Sequence, residues 1–363
     1  MTLKEVSRQA VGTISDNWRK CMRKNTSIFI MTVLLSLPFS GCSSANEAAS
    51  LASIATEESA FAESTVTEET LGQKGEPFEG QSMESVQSSG YNANTRVLLN
   101  SGYEMPLVGL GTWTLDDETA AECVYHALED GYRLIDTAKY YGNEEGVGDG
   151  VRRAIEAGIV TREEVFVTSK IVPYGFEDYR EAIKESNDSL GLGYIDLLLI
   201  HQQGSDEKEL YAAMEQAVQD GLVHSIGLSN YYTPEDFERI TSEAKIKPAV
   251  LQNENHPYYQ NTEMREYVSR YGTMMESWYP FGGRGHTQEL FNDETIIRIA
   301  RAHGKTSAQV LVRWHMQAGY IVIPGSSNPD HIAENFSIFD FELSDEEMQA
   351  IADMNTGERY ENW

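Results

Sequence analysis

Positive charge is scarce in this chain. Its 363 residues carry 28 Lys and Arg against 57 Asp and Glu, a net charge of −29. Nothing resembles a basic face able to displace counterions from phosphates, which excludes a nucleic-acid partner. Cysteine is also scarce. Cys21, Cys42 and Cys123 are too few and too scattered for a disulfide framework or a metal cluster, so no metal is expected. The apolar run from Ile28 to Phe39 is too short for a comfortable membrane span. A glycine-rich phosphate turn after a first strand is missing as well: Gly109-Leu110-Gly111 lacks the third glycine, and Gly146-Val147-Gly148-Asp149-Gly150 falls on a helical pattern. That counts against an open doubly wound sheet.

What is present falls into three parts. Residues 22–42 read MRKNTSIFIMTVLLSLPFSGC, a basic pair, the apolar run, and small Ser40 and Gly41 ahead of Cys42. This is the layout of a secretory signal, with Met22 as an alternative start. A cysteine directly after small residues is similar to the bacterial lipoprotein signal, whose cysteine is lipidated, although Phe39 stands where that motif prefers Leu. Residues 1–42 are therefore expected to be a targeting segment, with an uncleaved anchor as the alternative. Any membrane contact would run through this lipid or signal anchor, with the protein facing outward; without it the protein would be cytoplasmic. Residues 43–93 hold nine Glu and one Lys and no sustained apolar period, and read as a disordered acidic tether.

Residues 94–363 change character. TRVLLNSGYEMPLVG reads as a β-hairpin turning at Asn100-Ser101-Gly102. Apolar runs of strand length follow at 107–112, 133–138, 165–171, 195–202, 223–230, 249–255, 274–280 and 321–326. Amphipathic segments separate them, such as 117–130, 176–190, 208–220 and 262–271, several ending in the glycine that stops a helix most cheaply. Cys123, within the first of these, reads as a small core residue. Eight strands alternating with helices predict an α/β fold, a (β/α)8 TIM barrel with an N-terminal β-hairpin and extra C-terminal helices.

Chemistry in such barrels sits at the C-terminal strand ends. There the sequence places Asp136 with Tyr141 beyond it, Lys170, His201, Ser229 with Asn230, Gln252, Trp278, and then Gly325, Ser326 and Ser327. Each alone has a bland reading: a solvated terminus, a core imidazole, a packing ring, a cap. Together they form a set. Tyrosine's ordinary pKa near 10 makes it a poor proton carrier at neutral pH. A nearby ammonium should lower it, and a carboxylate would hold that ammonium in place. Such a group suits protonation of an oxygen that gains charge as a carbonyl is reduced, with His201 orienting the carbonyl. No side chain supplies hydride, so a nicotinamide or flavin is required. Ser229, Asn230 and Gln252 suit a carboxamide, and Trp278 offers a flat face to a ring.

The motifs DTAKYYGNE, FVTSKI, IDLLLIH, IGLSNY, VLQNENHPYYQ, WYPFG and VIPGSSNPDHIAEN, in this order, resemble the aldo-keto reductase family, and within it bacterial members similar to 2,5-diketo-D-gluconate reductase. The resemblance implies Asp136, Tyr141, Lys170 and His201 as a catalytic tetrad with Tyr141 as general acid/base. It implies Ser229, Asn230, Gln252, Trp278 and Pro280 around the nicotinamide, and Gly325, Ser326, Ser327, His331, Glu334 and Asn335 around the adenosine end. His201, where double-bond reducers of the family carry Glu, favours carbonyl reduction. Two cations that usually hold the 2′-phosphate are replaced by Gly325 and His331, and no Lys or Arg occurs between Arg313 and Arg359. Reduced 2′-phosphate selectivity is therefore expected, with NADP(H) and NAD(H) both usable. Gln202-Gln203 and Val172-Pro173 also depart from the family near the substrate mouth. Trp113, the loop 284–286 and the tail ending in Trp363 are expected pocket walls, beside Tyr141 and His201. The partner would be a small carbonyl substrate, and the protein a monomer. The competing reading is a membrane-tethered cofactor-binding or sensory module with little turnover.

Overall fold

The alternation of apolar runs and amphipathic segments folds into a ring of parallel strands. The computed structural model describes residues 90–361. The signal, Cys42, the tether up to residue 89, and Trp363 lie outside the described residues.

A small antiparallel hairpin, β1 (Arg96–Leu98) and β2 (Glu104–Pro106), comes first. Its turn is where it was expected, with Gly102 at φ 88°, a left-handed conformation that suits glycine. Asn100 Nδ2 donates to the carbonyls of Pro248 and Tyr271 at 2.9 and 3.0 Å, just ahead of two barrel strands. The hairpin thus covers the N-terminal end of the barrel, away from the strand ends that carry the polar set.

Eight strands follow: β3 (Leu110–Gly111), β4 (Leu134–Asp136), β5 (Phe166–Ile171), β6 (Ile195–Ile200), β7 (Val223–Ser229), β8 (Val250–Glu254), β9 (Met274–Trp278) and β10 (Ile321–Val322). Each pairs in parallel with its sequence neighbour. Parallel bridges Val108↔Val322 and Gly111↔Gly325 join the first strand to the last, so the sheet curls into a (β/α)8 ring. This seam is shorter than the two apolar runs that form it. Pro324 has no N–H to offer a ladder. The glycines there are needed for closeness, since a Cβ on Gly325 would lie 2.9 Å from the Gly111 carbonyl oxygen.

Strands covered by helices on one side and filled by side chains on the other must be apolar almost throughout. IDLLLI of β6 is buried at every position, and its one acid, Asp196, accepts from Arg162 at 2.7 Å and from the Val167 amide at 2.9 Å. Among the helices, Asp117–Asp130 has the bounds read from sequence, capped by Asp116 and ended by Gly131 at φ 107°. The segment expected from 176 begins at Tyr179 instead, because the Asp178 side chain accepts from the Arg180 amide and starts the helix there. Cys123 is buried in the core. Gly146, Gly148 and Gly150 lie on the helix Glu144–Glu156. A Cβ on any of them would collide with the backbone oxygen of Asp117, Leu190 or Ala121 respectively. That glycine run therefore lets three helices pack closely. The helices Pro329–Phe336 and Asp345–Ala352 complete the C-terminal end.

Candidate active site

Tyr141 is placed by its neighbours' hydrogen bonds. After β4 the chain makes a single 3-10 turn, Lys139–Tyr141, closed by Gly142 at φ 70°. The buried Asn143 fixes this loop: it accepts from Thr137 Oγ1 at 2.7 Å and donates to the carbonyls of Thr112 and Leu115, each at 2.9 Å. Glu144, also buried, accepts from Ser169 Oγ at 2.5 Å and from Ser186 Oγ. Burial pushes its carboxyl up, against those two hydroxyls. The phenol loop is thus tied both to the loop after β3 and to β5, whose Lys170 it must meet.

Lys170 is fully buried and donates to Asp136 Oδ1 at 2.6 Å, to the Thr137 carbonyl at 2.9 Å and to Tyr141 Oη at 3.2 Å. Burial works against the ammonium, but Asp136 and Tyr141 outweigh it and hold its pKa above the ordinary value. The expectation that Lys170 would bring the phenol below its usual pKa needs correction. Lys170 does pull in that direction, yet burial is the larger influence, and Tyr141 is pushed up to about 12. His201 lies across the phenol, with ring centroids 5.5 Å apart. Burial first, and the Lys170 charge second, bring its pKa down to about 3, so it is neutral. Its Nδ1 is buried with no partner. The proton is therefore better used on Nε2, as a donor to an oxygen in the cavity.

Asp136, Tyr141 and His201 open on a cavity of about 410 Å³, with Lys170 buried behind them. Asp136, Tyr141, His201, Ser229, Asn230, Gln252, Trp278, Pro280, Gly325, Ser326 and Ser327 all line it, as do Trp113, Tyr140, Val172, Tyr174, Gln202, Phe281 and Arg284. Trp113 packs against Tyr141 at 4.7 Å between centroids. His331, Glu334 and Asn335 sit on the helix Pro329–Phe336 and do not line the cavity. Glu334 accepts from Thr306 Oγ1 at 2.7 Å. Of the expected loop 284–286, Arg284 and Gly285 line it and His286 does not; His286 stacks on Tyr360 of the tail at 3.6 Å.

Asn230, at φ 66°, donates to the His201 carbonyl at 2.9 Å and to Ser229 Oγ at 3.2 Å, while its Oδ1 accepts from Tyr232 Oη and Trp278 Nε1 at 2.9 and 3.2 Å. Trp278 is thereby fixed by its ring nitrogen, its face left to the cavity. Gln252 turns its amide nitrogen inward, donating to Asp136 Oδ2 and Glu276 Oε2, each at 2.8 Å. Its carbonyl oxygen is thus left for a donor in the cavity. A primary carboxamide needs such an acceptor, and a planar ring needs such a face, so these residues fit a nicotinamide.

Glu276 was missed in the sequence. It is fully buried on β9, and burial, reinforced by the Asp136 charge, pushes its carboxyl up to about 8. A lone acid inside the run MMESW was the available signal. Asn143 and Glu144 were also missed as supports, although both lie in the motif that carries Tyr141.

Known proteins resemble this chain over the barrel. A sequence model of the Aldo/keto reductase family matches residues 107–356. An NAD(P)H-dependent D-xylose reductase of Candida tropicalis is 39% identical, covering 73% of this chain and 93% of its own length. The glyoxal reductase of Bacillus subtilis is 41% identical over 72% of this chain and 94% of its own. Among crystal structures, an aldo-keto reductase from a deep-sea metagenome library superposes with a TM-score of 0.69 at 39% identity, covering 74% of this chain and 97% of that one. A Bombyx mori aldo-keto reductase in complex with NADP gives 0.67 at 35% identity, covering 73% and 94%.

Proposed function

The chain belongs to the aldo/keto reductase family and reduces aldehyde or ketone carbonyls to alcohols with a nicotinamide cofactor; from that premise we propose how its own residues divide the work. NADH or NADPH, when bound, supplies the hydride. Tyr141 gives its phenolic proton to the oxygen that gains negative charge as the carbonyl is reduced. His201, neutral, donates a hydrogen bond to the same oxygen and sets its direction. Lys170, held by Asp136, faces the phenolate left behind. The observation that carries this reading is the unbroken chain Tyr141–Lys170–Asp136, with His201 across the ring. Ser229 and Gln252 hold the carboxamide, Asn230 fixes Ser229 and Trp278 beside it through its own four hydrogen bonds, Trp278 and Pro280 border the ring, and Gly325, Ser326 and Ser327 receive the phosphate end.

Tyr141→Phe is the direct test. It should lower kcat/KM for a reactive aldehyde by roughly 10²- to 10⁴-fold while leaving NADPH quenching of tryptophan fluorescence intact. Binding without turnover in the unmodified protein, unchanged by Tyr141→Phe, would instead favour a cofactor-binding module.

The finer readings are proposals of the same kind. NADH is usable beside NADPH, because Gly325 and His331 stand where the family places cations. The substrate is a small carbonyl compound entering between Trp113, Tyr174 and Phe281. The named relatives act on xylose and glyoxal, whereas the 2,5-diketo-D-gluconate branch rests on motif likeness alone. The protein works as a monomer. Cys42 is lipidated and anchors it to the outward face of a membrane through residues 43–93. Fractionation of the protein and its Cys42→Ser variant tests that placement: a wild-type protein found wholly in the soluble cytoplasm with its N-terminus intact would sink it.

A further inference from the structure

Gln252 lies between two acids, and only one of them has a part in the reaction as described. Its amide nitrogen is 2.8 Å from Asp136 Oδ2 and 2.8 Å from Glu276 Oε2. Two carboxyl groups meeting one end of a primary amide decide which end that is. An amide oxygen there would face the Asp136 carboxylate, which can only accept, whereas the NH2 group has one hydrogen for each acid. Asp136 alone leaves the second hydrogen, and half of the orientation, unassigned. Glu276 supplies the other half from β9, next to Gln252's own strand in the ring and in register with it. The consequence appears at the opposite end of the side chain, where Gln252 borders the cavity.

We infer that Glu276 is a positioning residue: with Asp136 it clamps the Gln252 amide so that the glutamine oxygen faces the cavity as a fixed acceptor for the NH2 of the nicotinamide carboxamide. This rests on the carboxamide cradle proposed above. The clamp requires an acceptor at position 276 and does not require a charge. Glu276 is fully buried, its Oε1 has no partner, and the charged groups facing it across the barrel interior are Asp136 and Lys170. An ionised carboxylate with one bare oxygen beside a second anion is strongly disfavoured. The neutral acid keeps a carbonyl oxygen that can accept from Gln252, and a glutamine at 276 would offer the same oxygen.

The test compares binding of NADP⁺ with that of its 3-acetylpyridine analogue, whose methyl ketone lacks the NH2 donor, by quenching of tryptophan fluorescence. Three variants are titrated: Glu276→Gln, Glu276→Met and Gln252→Met. Glu276→Gln should bind both ligands within about twofold of wild type. Glu276→Met should bind NADP⁺ about tenfold more weakly, the size of one ordinary hydrogen bond, with little change for the analogue. A merely structural role would weaken both ligands alike. Equal loss for both, no loss of NADP⁺, or a Glu276→Gln variant as poor as Glu276→Met would each overturn the inference. Gln252→Met separates this from the cradle itself: if it too binds NADP⁺ as wild type does, the cradle reading fails; if it alone loses NADP⁺, only the role of Glu276 fails. Should Glu276→Met not fold, an NADP⁺ loss in Glu276→Gln equal to that in Gln252→Met would overturn the inference, and wild-type binding would uphold the neutral acceptor.

Discussion

At the scale of single residues, the site separates the ionisation of a phenol from that of an imidazole by many pH units. Burial and the opposing pull of Lys170 leave Tyr141 near 12, and burial leaves His201 near 3. The phenol's pKa is raised, so its proton stays on throughout the physiological range; the imidazole's is depressed, so no proton is added there. Carbonyl reduction needs the phenol as an acid, the form that predominates. Alcohol oxidation needs the phenolate, a small fraction that grows about tenfold with each pH unit below the pKa. The kcat/KM for reduction should therefore be flat from pH 6 to 8.5, with no acid limb near the ordinary histidine pKa. Over the same range the oxidation rate should climb about tenfold per unit. Lys170→Met removes the one cation that pulls the phenol down and should depress oxidation more than reduction. An acid limb between pH 6 and 7 that disappears in His201→Asn would show that the imidazole titrates in the working range, contrary to its burial.

At the scale of elements, the relaxed cofactor choice proposed above turns on the segment after β10. A 2′-phosphate held without Lys or Arg loses charge-assisted bonds, and what remains here is backbone near Ser326 and Ser327. NADPH preference over NADH, measured as the ratio of kcat/KM, should fall below about a hundredfold, roughly 2.7 kcal/mol. Gly325→Lys with His331→Arg should raise it. The same change strains the barrel seam, because a Cβ at 325 lies 2.9 Å from the Gly111 oxygen, so the variant should also melt earlier. This element shows what a sequence can and cannot disclose. Strand and helix identities were legible because burial on both faces writes unbroken apolar runs into strands, and one-sided burial writes the helical period. Asp136, Lys170 and His201 were legible because a polar residue ending an apolar run stands out, and Tyr141 because it follows Asp136 on the adjoining loop. Asn143, Glu144 and Glu276 were not, because their importance lies in which distant backbone or side-chain atoms they reach. The direction of the Tyr141 shift was misread for a related reason: the Lys170 charge is visible in sequence, whereas the depth of burial that outweighs it belongs to the closed barrel. His331, Glu334 and Asn335 shared a motif with Gly325 but lie on a helix whose side chains do not border the cavity.

At the scale of the whole molecule, the buried acid at 276 ties global stability to pH. Its carboxyl titrates near 4.5 in an unfolded chain and is pushed up to about 8 in the barrel. Between those values the native state holds a proton that the unfolded state has released. Stability linked to this group is therefore fully present below about pH 4.5 and is lost as pH rises through 8, after which both states are ionised and the effect levels off. The limiting slope is about 1.4 kcal/mol per pH unit. Other terms change with pH too, notably self-repulsion in a chain of net charge −29, and so do Asp136 and Lys170 beside the site. Glu276→Gln removes this ionisation together with its coupling to Asp136 and Lys170 and leaves the rest of the chain's charge in place, so the difference between variant and wild type reports it. The variant should be no more stable than wild type at pH 5 and progressively more stable up to about pH 8.5, measured as urea midpoints at constant ionic strength. A difference that does not change across this range would mean that Glu276 has the same proton affinity folded and unfolded, which a buried carboxyl with one oxygen bare and a second acid across the same amide should not have.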